Sequence, residues 1–149
     1  MNNWYQVKVK YEKVDLESGR ERKVTEAYLV DAVSFTEAES RIHAELEQMI
    51  SGDFLVTNIS KANYSDIVPS DNDNADIWYK CKVNYISIDE EAGKEKKISV
   101  MILVLAYDIQ SALDNLEKSF EGSAADFTVV GINESPLIDV FPYSSGEEN

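Results

Sequence analysis

The sequence predicts an α+β protein: a tandem duplication of a ββαβ(β) unit, mainly antiparallel sheet, with two helices packed on one side and the copies related by a pseudo-twofold. Three observations predict it. The first is an internal repeat, which changes the reading of every other feature. Trp4-Tyr5 recurs as Trp78-Tyr79, and at the same offset of 74 Val9 meets Val83, Tyr11 meets Tyr85, Gly19 meets Gly93, Lys23 meets Lys97, Leu29 meets Leu103 and Ala38 meets Ala112. After one deletion the offset becomes 73, and Asp53-Phe54 matches Asp126-Phe127, Val56 matches Val129, Ile59 matches Ile132 and Pro69 matches Pro142. The second observation is a period-two alternation at the head of each copy. The third is an apolar stripe at helical spacing behind a capping signal in each copy.

The elements follow in order. Residues 4–13 place Tyr5, Val7, Val9 and Tyr11 on one side and Trp4, Gln6, Lys8 and Lys10 on the other, the pattern of a half-buried strand. A polar turn containing Gly19 leads to a second strand over about 22–32. For the helix that follows, Thr36 and Glu39 have capping-box spacing, and Ser34 and Glu37 offer a competing one. Ala38, Ile42, Leu46 and Met49 form its apolar stripe, and Gly52 lies just past its end. A third strand is expected over 54–60 and a short fourth over 65–68, closed by Pro69.

The second copy repeats the scheme. Tyr79, Cys81, Val83 and Tyr85 face away from Trp78, Lys80, Lys82 and Asn84, and Gly93 sits in the turn. Ile98 to Leu105 is apolar on both faces, as a central strand is. Asp108 is the expected N-cap, Ala112, Leu113, Leu116 and Phe120 the stripe, and Gly122 the stop signal. Strands are expected over 127–133 and 137–141. The organisation is therefore a first repeat over 1–69, a linker over 70–76, a second repeat over 77–143 and an acidic tail over 144–149, the two repeats forming one compact domain.

Composition bounds the function. The 149 residues are 44% hydrophobic, enough to fill a core, and the formal charge is −14. Such a chain repels polyanions on average. The charge is segregated: 11 of the 14 Lys and Arg lie in 4–30 and 78–104, while 19 of the 28 acids lie elsewhere. Met1 is followed by polar residues, so no secretory signal is expected, and Ile98 to Tyr107 is too short for a spanning helix. No membrane partner is expected. Cys81 is the single cysteine, which fits a reducing, cytoplasmic setting.

The segment from Thr25 through Tyr28, Val30 and Asp31 to Ala32, running on as Ser34-Phe35-Thr36-Glu37-Ala38-Glu39, together with Trp4-Tyr5 and Trp78-Tyr79, resembles a family found in Bacteroides-type bacteria and their phages. That family is catalogued as a domain of unknown function (family 4494). The resemblance covers roughly Asn3 to Tyr143. It implies a bacterial or phage origin and a cytoplasmic setting, and it supplies no catalytic residue.

The residues offer little to catalysis. His43 is the only histidine, and it reads as a surface residue of the first helix. Cys81 stands where the first copy has Val7, which argues for a small core residue rather than a nucleophile. One Cys and one His cannot complete a zinc site. Asp71, Asp73 and Asp76 lack the glycine and the final glutamate of a calcium loop, and no phosphate-binding glycine motif occurs. No cofactor and no metal is expected, no catalytic residue is assigned, and a non-enzymatic role is preferred. An enzyme whose acids converge only in the fold is the last alternative.

One constellation repeats. Trp4, Lys8, Lys10 and Lys23 are matched by Trp78, Lys80, Lys82 and Lys97 on the outward side of the first two strands of each copy. Bases stacking on the indoles, with ammonium groups on phosphates, would make a single-stranded nucleic-acid platform. A packing explanation also exists and takes precedence: Trp at a strand head often packs against a neighbouring loop, and Lys blunts sheet edges. The reading preferred is an interaction or assembly module of a phage or its bacterial host, with a protein partner or a second copy of the chain. Single-stranded nucleic acid is the alternative partner.

Overall fold

The computed structural model describes residues 3–123 and 126–142. The acidic tail expected over 144–149 lies outside the described residues. The protein is α+β, and the elements run β1 (Asn3–Val14), β2 (Glu21–Ala32), α1 (Phe35–Leu46), β3 (Phe54–Ala62), β4 (Asp66–Val68), β5 (Ile77–Asp89), β6 (Lys94–Ala106), α2 (Ile109–Ser119), β7 (Phe127–Glu134) and β8 (Leu137–Phe141). They form two four-stranded mixed sheets, ordered β3-β1-β2-β8 and β4-β6-β5-β7. No helix among the described residues is long and apolar enough to cross a membrane.

Both units are built by the same local rules. In the first, β1 pairs antiparallel with β2 from Asn3↔Ala32 to Val14↔Glu21, and with β3 on its other side. The β1–β2 turn closes through Gly19 N–H to Asp15 O, with Gly19 at φ 71°, a region where a side chain would clash with the backbone. Gly93 does the same work at φ 64° in the β5–β6 turn. The pairing of β1 with β3 shifts register between Lys8 and Val9, and that of β5 with β7 between Lys82 and Val83. The bulge is thus repeated at the 74-residue offset, which no composition argument would require.

Each helix is started by a cap that the sequence offered, α1 by the competing candidate and α2 by the expected one. Ser34, rather than Thr36, caps α1: its Oγ accepts from Glu37 N–H at 3.1 Å. The Glu37 carboxylate reaches one residue further back, accepting from Val33 N–H at 3.0 Å. Asp108 caps α2 with a reciprocal capping box to Ser111. Ala38, Ile42 and Leu46 pack on Tyr5, Val7, Val9 and Val30, while Ala112 and Leu116 pack on Tyr79, Cys81, Val83 and Val104. Met49 does not extend the stripe, because α1 has already ended and the side chain is exposed.

The fourth strands depart from the order of the sequence. β4 follows the first repeat yet pairs parallel with β6, and β8 follows the second repeat yet pairs parallel with β2. The packing units are accordingly 1–62 with 136–149, and 63–135. Each repeat lends its last strand to the sheet of the other.

Candidate functional site

Directly opposed residues of an antiparallel pair share a face, so the registers fix where each singled-out side chain points. Tyr5, Val7 and Val9 turn toward α1. Trp4, Lys8 and Lys10 therefore take the other, outward face, joined by Lys23, which opposes Glu12. In the second unit Trp78, Lys80 and Lys82 take the outward face, and Lys97, opposite Ile86, joins them. The six lysines are exposed.

The tryptophans behave differently. Trp78 is only 7% exposed, and Trp4 is half-buried. Leu29 and Leu103 share the outward face with them, through Gln6↔Leu29 and Lys80↔Leu103, and both are completely buried. The part of each outward face nearest the tryptophan is enclosed, and only the lysine end is open. An enclosed indole has no face to offer a base, so stacking at Trp78 is unavailable. Alternation in the sequence reports which side a residue takes, not what covers that side.

The open end has a composition unlike the rest of the chain. In a protein with 28 acids, residues 3–11 and 54–62 of the first sheet, and 77–88, 96–107 and 127–133 of the second, contain none. Lys8 is flanked by Asn58 and Lys10 by Leu55, while Lys80 is flanked by Asn133 and Lys82 by Gly131. Beyond this point each hairpin outruns its third strand. Pairing of β1 with β3 ends at Tyr11↔Phe54, yet β1 and β2 continue to Val14↔Glu21. Pairing of β5 with β7 ends at Tyr85↔Phe127, yet β5 and β6 continue to Asp89↔Lys94. The projecting ribbons show apolar side chains on the same outward face: Val14 at 52% exposure in the first, Ile86 at 43% and Ile88 at 68% in the second. Sequence reasoning did not single out these residues. No local signal marks them, because how far each hairpin outruns its third strand is set by pairing with distant residues.

Carboxylates converge with other groups at two places in the first unit. Glu26 Oε1 accepts from Tyr11 Oη at 2.7 Å and Tyr28 Oη at 3.1 Å, and its Oε2 lies 3.8 Å from Lys13 Nζ. Burial pushes the Tyr11 phenol up to about 12, with the hydrogen bond to Glu26 and its charge adding to the effect. Tyr28 is raised for the same reasons. This cluster belongs to the first unit alone: the matching residues of the second copy, Val100 and Ile102, are apolar. A second pair, Glu12 and Glu21, borders an open cleft of about 880 Å³ that also touches Lys10, Lys23, Asp53 and Phe54. The hydrogen bond from Glu12, then its charge, raises the Glu21 carboxyl. Both acids are exposed, where solvent screens such effects.

The remaining titratable candidates are packed. The His43 ring lies 4.9 Å from that of Phe54, partly covered rather than free on the surface. Cys81 is fully buried, and desolvation pushes its thiol up to about 11. Among the described residues no group of three or more His, Cys, Asp or Glu is placed to hold a metal ion.

No curated protein matches the chain. Residues 3–143, nearly its whole length, match the sequence profile of a domain of unknown function, DUF4494, and the chain belongs to that family.

Proposed function

We propose that the protein is a non-enzymatic interaction or assembly module, serving a phage or its bacterial host in the cytoplasm, that docks an acidic protein segment on its outward hairpin faces. One observation carries this reading: each unit presents a similar exposed strip, lysines followed by an apolar ribbon, with no acid in residues 3–11 and 54–62 or in 77–88 and 127–133 of a strongly acidic chain, Glu12 and Glu21 entering only at the ribbon of the first unit. The strip in the first unit is Lys8, Lys10, Lys23 and Val14, and in the second Lys80, Lys82, Lys97, Ile86 and Ile88. Lysines attract a carboxylate-bearing partner and set its orientation, while the apolar tip supplies area removed from water. Acidic surface elsewhere on the chain repels partners that approach wrongly.

The reading is tested by fluorescence anisotropy with two labelled probes, a peptide alternating Glu with Val and an oligothymidylate of equal length. The peptide is expected to bind at low salt, to weaken as salt rises, and to lose about tenfold or more in affinity when Lys8, Lys10, Lys80 and Lys82 are all replaced by Glu. Binding of the oligonucleotide in place of the peptide would move the assignment to nucleic acid. Indifference of both probes to the four replacements would remove the strip as a binding surface.

A further inference from the structure

The strand exchange carries an inference of its own. The β2 edge that receives β8 is made wholly by the first repeat, while its occupant comes from the end of the second. Their union is specific. Tyr28, Leu29 and Val30 stand opposite Asp139, Val140 and Phe141, the Tyr28 and Phe141 rings stack at 5.8 Å, and Arg41 Nη2 donates to Pro142 O at 3.2 Å. Arg41 and Pro142 are 101 positions apart in sequence. Between β7 and β8 run only Ser135 and Pro136, and Ser135 N–H is held by Trp78 O at 2.8 Å. Proline has no N–H to continue the β7 ladder, so the chain must leave that sheet here.

From this geometry we infer that the β2 edge is a strand-acceptor groove that a second copy of the chain fills with its own β8, giving a reciprocally exchanged dimer. The strand pairing, the ring stack and the Arg41 hydrogen bond that seat β8 are all made to β2 and α1, and none of these depends on the covalent route by which β8 arrives. The same pairs form whether the donor belongs to the same chain or to another. Exchange of an identical element between protomers is a low-cost route to a dimer, and short connectors favour it. The monomer keeps its own β8 by effective concentration, so the dimer grows with protein concentration and after transient opening. Two chains at −14 repel, so added salt favours the exchanged form. That sign is opposite to the salt dependence expected for the lysine strips, which keeps failure of one proposal distinct from failure of the other.

The experiment uses the full chain. Wild-type protein is unfolded in guanidinium, refolded at millimolar concentration in high salt, and sized by light scattering after gel filtration. The expected result is a dimer that persists on dilution and is depleted about tenfold in Val140→Pro/Phe141→Asp. A labelled peptide of residues 135–142 is then added to each protein: it binds the double variant, whose groove is vacated, about tenfold more tightly than wild type, whose groove is filled. If the double variant loses its far-ultraviolet dichroism, wild type is refolded instead with an excess of the labelled 135–142 peptide, which is expected to occupy the groove and deplete the dimer with the fold retained. A wild type that stays monomeric under these conditions overturns the inference, as does a dimer of equal yield in the folded double variant or in the presence of the peptide.

Discussion

At the scale of single residues, two side chains make predictions through their protons. Burial holds the Cys81 thiol up at about 11, so little thiolate exists near neutral pH. Labelling by a thiol-specific disulfide reagent at pH 8 is expected to be slow in the native protein and fast in denaturant; rapid native labelling would contradict the enclosed position. Tyr11 works in the other direction of function, as a donor. Its phenol is raised from 10.0 to about 12, so the folded protein holds that proton more tightly than the unfolded chain does. The stabilisation is complete below pH 10 and is lost as pH rises through the window up to about 12. Tyr11→Phe is expected to cost about 1 kcal/mol at neutral pH, from the lost bond to Glu26, and to flatten the alkaline loss of stability. Denaturant melts at several pH values, read beside tyrosinate absorbance, measure both. The lysines of the strips were legible at this scale, because alternation against Tyr5, Val7 and Val9 places them outward. The burial of Trp78 was not, since the residues that enclose a side chain are chosen by the fold and leave no mark on its own neighbours in sequence.

At the scale of elements, the caps give the sharpest expectation. Asp108 Oδ1 accepts from Ser111 N–H at 2.7 Å, and Ser111 Oγ returns to Asp108 N–H at 3.1 Å. Asp108→Ala removes the acceptor and is expected to destabilise the protein by about 1 kcal/mol, with Ser34→Ala similar or smaller. Equal thermal melts for wild type and Asp108→Ala would show that α2 is held by its packing alone. Strands and helices were legible almost residue by residue, because each rests on local chemistry: period-two alternation in β1 and β5, a cap before each helix, a glycine behind it. The end of α1 was misjudged by extending a stripe to Met49, where the chain turns toward Gly52 instead. The projection of the two ribbons beyond β3 and β7 was not legible, because strand length is set by pairing partners that lie about 40 residues further along the chain.

At the scale of the whole molecule, both faces of each sheet contribute to stability. Leu46 and Leu116 are buried under the helices, whereas Leu29 and Leu103 are buried on the faces turned away from them. Replacement of any of the four by Ala is expected to cost about 2–5 kcal/mol, so the outward pair should prove as damaging as the helix-side pair. Urea denaturation reads this directly; a loss near zero for Leu29→Ala and Leu103→Ala would mean their cover contributes no packing. The duplication was legible from matched residues, and so were the short fourth strands, but not their hosts. A five-residue run such as Leu137–Phe141 states that it is extended and says nothing of which edge it joins. That crossing has a consequence for biosynthesis. A ribosome making this chain releases all of β1, β2 and β3 well before it has polymerised β8, so the sheet they form must wait, one strand short, until Leu137–Phe141 has been read. Completion of that sheet therefore waits on a strand made well after its partners, and a stop codon before Leu137 would deprive β2 of its outer neighbour.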